Sequence, residues 1–316
     1  MEHSIKLFAG MLLLLTGCVP FTDFQTEKKG PVQVVVQDHE PSSKLTSKFW
    51  LNGDVFSISN DGVIYFVDPI DNSIVNKASV KNYKIIDRFI DLKEWLKPDS
   101  SGKLRIDDIW VDHEGRLILA ESFTGKILRI SQDARKLENL ADSYDGYRFS
   151  EIQGLIGSGT GEIFVGSPNS ATIYKLDSQA GKLQVLNEDL VRPNDFIFNE
   201  AGNRLLVAES NPNRVIVYNL NDSTESMIKS WDLIKFAKFR ERPVSMDTID
   251  PQGDSLVVIS GRGKKLQIFD LTLGKLINQT DLPFPCFRIR AHKGWIYLQA
   301  RKGIIRRKIP DSVTFK

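Results

Sequence analysis

Apolar residues along this chain fall into short runs separated by polar turns, and the same arrangement returns six times. Each copy is an apolar strand, a turn bearing Asp or Gly, a second and more continuously apolar strand, a short loop and a third strand. The copies open at Asp54, Asp108, Gln153, Asn194, Val244 and Cys286. Their starts lie roughly 40 to 55 residues apart, the period of a propeller blade built from four strands. Glycine marks the turn between the first two strands: Asn60-Asp61-Gly62, His113-Glu114-Gly115, Gly159-Thr160-Gly161, Glu200-Ala201-Gly202, Pro251-Gln252-Gly253 and Lys293-Gly294. Such a turn needs a residue with positive φ, which glycine adopts at no steric cost. Second strands such as Val63-Ile64-Tyr65-Phe66-Val67 and Leu256-Val257-Val258-Ile259 are almost wholly apolar. That suits burial on both faces between neighbouring blades, where a two-layer sandwich would alternate more cleanly.

The expected fold is therefore all-β, a six-bladed β-propeller over residues 31–316. Helical periodicity is confined to one short helix expected around Trp231 to Arg240. The segment Val32-Gln33-Val34-Val35-Val36 has high strand propensity and no hairpin partner nearby. It is expected to supply a strand to the last blade and so close the ring.

Ahead of the repeats, an apolar run from Leu7 to Leu15 leads into Leu15-Thr16-Gly17-Cys18, with Lys6 before it. The run is too short for a spanning helix, which takes about 20 residues. It has the layout of a bacterial lipoprotein signal peptide: positive start, apolar centre, small residues before a cysteine. Residues 1–17 are expected to be removed, Cys18 to carry fatty acyl groups such as palmitate, and residues 18–30 to act as a flexible tether. Val19, not Asp, follows the cysteine, so the expected site is the outer membrane, facing the periplasm. The membrane is then one partner, held through several acyl chains.

Lys plus Arg number 42 against 40 Asp plus Glu, which argues against nucleic acid as a partner because that needs clustered excess base. The Arg301-Lys302 and Arg306-Arg307-Lys308 cluster reads as a solvated strand face. Only two cysteines occur, and Cys18 is engaged with lipid in this reading. Cys286 is left as a small buried hydrophobe, and the core rests on packing without disulfides. Gly261-Arg262-Gly263-Lys264-Lys265 lacks the strand-to-helix context of a phosphate loop and reads as a basic hairpin turn.

The stretch Arg192-Pro193-Asn194-Asp195-Phe196-Ile197-Phe198, continuing through Gly202 to Leu205-Leu206-Val207-Ala208-Glu209-Ser210, resembles the blade motif of gluconolactonase-like (senescence-marker-protein) propellers. Trp110-Val111-Asp112-His113-Glu114-Gly115-Arg116-Leu117 is similar to NHL-type blades. The resemblance implies a six-bladed ring with a divalent cation, Ca²⁺ or Mg²⁺, in its central channel. In that family the ion is held by a Glu from the first blade, Asn from the two middle blades and an Asp from the fifth. Such hard oxygen ligands polarise a lactone carbonyl and activate water. Carried over, the Asn positions fall on Gln153 and Asn194, the Glu on Asn52 and the Asp on Val244. Both charged ligands are missing, so weak binding or no metal is expected. Asp107, Asp108, Asp195 and Asp247 are possible replacements if they turn inward; for Asp108 and Asp195, hydrogen bonding to their own backbone is the favoured reading.

No nucleophile elbow occurs, and His113 and His292 fall in equivalent turns of different blades, far apart on a rim. The leading expectation is thus a lipid-anchored binding or scaffolding module for an envelope protein or glycan. A metal-dependent lactonase-like hydrolase with a remodelled site is the alternative. Partner contacts are expected on loops, above all the Ser230–Arg242 insertion, where Trp231, Phe236, Phe239 and Arg240 have the composition of an interface centre.

Overall fold

In the computed structural model the described residues are 55–309, apart from 84, 99, 150–151, 159–160, 180, 188–189, 199–203, 211–212, 220–226, 233–241, 250–254, 272–273 and 302. The signal peptide, Cys18, the tether, the expected closing strand at 32–36, Asn52, Phe236, Phe239 and Arg240 lie outside them.

Six antiparallel blade sheets follow one another in chain order, each running from an innermost to an outermost strand without crossover, and a two-stranded hairpin of Ser143–Tyr144 and Tyr147–Arg148 lies between the second and third. The innermost strands are Phe56–Ile58, Ile106–Val111, Leu155–Gly157, Pro193–Phe198, Ser245–Thr248 and Cys286–His292, in blades 1 to 6. Each touches the innermost strand of the next blade, and blade 6 touches blade 1. The ring is closed, as the sixfold period requires. Blades 1 to 5 have four strands, and blade 6 has three among the described residues, Cys286–His292, Trp295–Ala300 and Gly303–Lys308.

The second strands explain how the blades stack. Leu117–Glu121 and Ser255–Ser260 are buried at every position, so both faces lie against neighbouring sheets. Apolar clusters accordingly sit between blades, not within them. Val75, Phe89 and Ile90 of blade 1 meet Ile109, Leu117 and Leu128 of blade 2. Phe164 and Ile173 of blade 3 meet Phe196, Leu205 and Ile216 of blade 4. One cluster joins Val257 and Ile268 of blade 5, Ile289 and Leu298 of blade 6, and Phe56 and Phe66 of blade 1, sealing the ring. Each such side chain contributes roughly 1.5–3 kcal/mol through burial.

Gly62, Gly115, Gly161 and Gly294 all take positive φ in their hairpin turns. Gly261-Arg262-Gly263 forms the turn joining Ser255–Ser260 to Lys265–Asp270, as the sequence reading held. A Cβ on Gly263 would lie 2.3 Å from the Cys286 carbonyl oxygen, so the turn needs glycine to fit against blade 6. Cys286 is fully buried, and burial pushes its thiol up to about 12, which leaves it a packing group.

One expectation is corrected. Trp231 does not begin a helix: Met227–Asp232 is the outermost strand of blade 4, with Trp231 opposite Val215. The weak helical period of this stretch gives way to the unpaired edge of Arg214–Asn219, whose backbone groups need a ladder partner.

Candidate ligand pocket and charged hub

The innermost strands bring a set of charges to the axis of the ring. Blade 6 supplies two arginines at alternate positions, Arg288 and Arg290, on either side of the buried Ile289. Alternation along a strand puts both side chains on the same face, with their Cα atoms about 7 Å apart. Arg288 Nη1 lies 2.6 Å from Asp108 Oδ1 of blade 2, a pair bridging the channel. Arg290 Nη1 lies 3.4 Å from Asp195 Oδ2 of blade 4 and donates to the Ile289 carbonyl at 2.8 Å. Asp108 and Asp195 are almost wholly buried.

The aspartates also tie blades together. Asp108 accepts the N–H of Ile109, its own neighbour, at 2.8 Å and that of Leu155 in blade 3 at 2.9 Å. Asp195 accepts from Phe196 at 3.0 Å and from Met246 in blade 5 at 3.1 Å, and also takes the Ser245 hydroxyl. Asp247 accepts from Thr248 at 2.8 Å and from Ala291 in blade 6 at 2.7 Å. One rule covers all three: a carboxylate on an innermost strand satisfies its own next N–H and one donor on the following blade. The expected own-backbone bonds of Asp108 and Asp195 are present, but each is only one of several contacts that the carboxylate makes.

Two arginines face three carboxylates, and the titration behaviour follows from that shortfall. Burial pushes Asp195 up, but Arg290 and Arg288, with the Ser245 hydroxyl and the Met246 N–H, hold it below the ordinary value. Burial lifts Asp108 above its ordinary value against the pull of Arg288 and Arg290. Asp247 is lifted to about 6 by burial that Arg290 and the Ala291 N–H only partly offset. A carboxyl with a folded value above its unfolded one holds its proton longer in the native state. Its contribution to stability is therefore largest below about pH 4 and falls as pH rises toward about 6, then levels. Urea midpoints measured from pH 4 to pH 7 should show this decline, and Asp247→Asn should make it shallower, leaving the part that Asp108 contributes. Parallel curves for the two proteins would assign the titration to another group.

Above the hub opens a pocket of about 420 Å³ at one mouth of the channel. Gln153 and Asn194 line it, as does Val244, so the three described positions that the resemblance selected come together. Asn194 donates from Nδ2 to the Ser210 hydroxyl and to the Pro243 carbonyl at 3.2 Å, leaving Oδ1 as its free acceptor. Asp195 does not line the pocket; its oxygens serve the hub. Asp107 does, with its carboxylate bound to Arg105 at 2.7 Å and to the Ser122 hydroxyl. Around these stand Arg105, Arg192, Arg242 and Arg288. None of the four was singled out from the sequence, although Arg-x-x-Asp in blades 2 and 4 and Arg-x-x-Ser in blade 5 is a visible signal.

This donor set does not fit a divalent cation. Neutral amides and Val244 occupy the ligand positions, and guanidinium groups surround them. A cation would meet repulsion where carboxylates should supply several kcal/mol of attraction. Among the described residues no three His, Cys, Asp or Glu side chains converge as a metal site.

Residues 153–292 match the family described as the SMP-30/Gluconolactonase/LRE-like region. A gluconolactonase of Zymomonas mobilis is 23% identical over 230 residues, covering 66% of this chain and 60% of that protein. The chain thus spans less than two thirds of the length of this curated relative. In fold it is similar to XC5397 of Xanthomonas campestris, described as a gluconolactonase, with 16% identity, a TM-score of 0.61 and coverage of 83% and 86% of the two chains. A chain of a nidogen/laminin complex is also similar, at 17% identity and a TM-score of 0.58, covering 74% and 80%. The protein is a six-bladed β-propeller whose residues 153–292 match the SMP-30/Gluconolactonase/LRE-like region.

Proposed function

We propose that this propeller is a ligand-binding module of the bacterial envelope, held at the outer membrane through lipid on Cys18, with the channel-mouth pocket as its site for a glycan or protein group. The observation that supports the reading is the charge at the mouth: among the described residues, arginines stand around Gln153, Asn194 and Val244, where the resemblance implies ligands to a dication. The hub below is closed by buried Asp–Arg pairs with their own partners, so it is a floor and not a reservoir of spare ligands. A rigid ring presenting loops around such a mouth is a general binding arrangement. Ca²⁺ and Mg²⁺ should leave the melting temperature unchanged, and D-glucono-δ-lactone should hydrolyse at the buffer rate.

A second reading, a metal-dependent lactonase-like hydrolase, is favoured by the sequence match, which includes Asn194. It requires a Ca²⁺-dependent rise in melting temperature together with lactone turnover that Asn194→Ala abolishes. That joint result would replace the binding reading.

A further inference from the structure

We propose that the channel mouth is an anion site, built to take the carboxylate or phosphate of a small polyhydroxylated ligand, a sugar acid or a sugar phosphate. The inference rests on the binding reading above and names its ligand chemistry.

Three of the four arginines occupy matching places in the repeat. Arg105, Arg192 and Arg242 each stand three residues before one register position of their innermost strands, which holds Asp108, Asp195 and, in blade 5, Ser245. Matching places in a ring of blades face the same mouth, so the repeat itself converges these side chains. In blade 3 the sequence places Glu151 there, which lies outside the described residues. Arg288 joins from below, lining the pocket while its Nη1 holds Asp108.

The charges do not cancel. Among the described residues, four guanidinium groups share two carboxylates, Asp107 against Arg105 and Asp108 under Arg288. Arg192 and Arg242 provide the surplus, and both are exposed. Guanidinium forks match the planar oxygen pairs of carboxylate and phosphate, and such charge-assisted bonds are about twice as strong as neutral ones. The remaining lining suits the rest of such a ligand. The amides of Gln153 and Asn194 can meet hydroxyl groups, and Phe287, 41% exposed at the rim, offers a flat apolar face to a sugar ring. A volume of about 420 Å³ falls in the range of small-molecule sites, which starts at roughly 300 Å³.

The test is calorimetric titration of the purified full chain, in EDTA, with D-glucuronate, glucose 6-phosphate and glucose. Both anions, or one of them, should bind while glucose does not; the tighter anion identifies the headgroup preferred. Affinity should fall at least about tenfold between about 50 and about 300 mM salt. Arg192→Gln/Arg242→Gln should weaken binding by about tenfold per lost guanidinium, with an unchanged melting temperature. Arg192→Lys/Arg242→Lys should retain part of the affinity because it keeps charge and loses only the fork. Glucose binding as tightly as the anions would overturn the inference, as would no anion binding by the folded protein at about 10 mM or unchanged affinity in the glutamine variant. The binding reading is tested separately by metal and lactone. A neutral ligand at this mouth would end the anion inference alone, whereas lactone turnover would end the binding reading and leave a measured anion site standing.

Discussion

Asp195→Ala should lower the stability of the protein by about 4 kcal/mol and its melting temperature by about 10 °C. The side chain serves four groups at once: the Phe196 and Met246 N–H groups, the Ser245 hydroxyl and Arg290. Alanine leaves the donors buried without acceptors, each costing roughly 1–3 kcal/mol before water or rearrangement relieves some of it. It also releases Arg290 from its nearest counter-charge. Asp195→Asn keeps one acceptor oxygen and should lose about half as much. Urea unfolding at pH 7 measures both. A loss below about 1 kcal/mol in the alanine variant would mean that the seam between blades 4 and 5 is held by packing alone.

Arg288→Ala should cost about 3–5 kcal/mol at neutral pH, because it strands a fully buried carboxylate. Asp108 then either keeps a charge with only the Ile109 and Leu155 N–H groups and no counter-charge in contact, or takes up a proton. Proton uptake gives the variant a signature that simple loss of packing lacks. Its carboxyl value rises further, so the deficit relative to the parent should shrink as pH falls from about 7.5 to about 5. Removing both members, Arg288→Met with Asp108→Asn, should cost clearly less than the two single changes summed, because neither charge is then left alone. Strict additivity in that cycle would show that the 2.6 Å pair contributes no coupling. Anion binding gives an independent reading of the same substitution, since Arg288 also lines the pocket.

The ring was readable in the chain because its evidence is local. Each blade carries its own apolar second strand and its own glycine turn, and six copies of a local signal reinforce one another. The strand at Met227–Asp232 escaped for the same reason in reverse. Its composition alone is ambiguous, and only its pairing with Arg214–Asn219 settles the matter. The three described positions that the resemblance selected, Gln153, Asn194 and Val244, line one pocket. What replaced the missing carboxylates was not visible. Arg288 reaches Asp108 across 180 residues of sequence and Arg290 reaches Asp195 across 95. No window along the chain contains both partners. The usable hint was Arg-Ile-Arg on a strand otherwise destined for the interior, because an alternating pair of cations there must find anions.

The origin of the two hub cations has a consequence for how the molecule is made. Both come from the sixth blade, while the anions they neutralise belong to the second and fourth. Synthesis delivers those acidic groups first, and a nascent chain that stops short of Arg288 carries them unneutralised toward a dry axis. Five-sixths of the polypeptide can gather its hairpins, which form from neighbours, but it cannot lock the centre. Assembly should therefore end in a single late step whose rate is set by long loop closure, and chains truncated before the last repeat should remain open and susceptible to proteases instead of forming a smaller wheel.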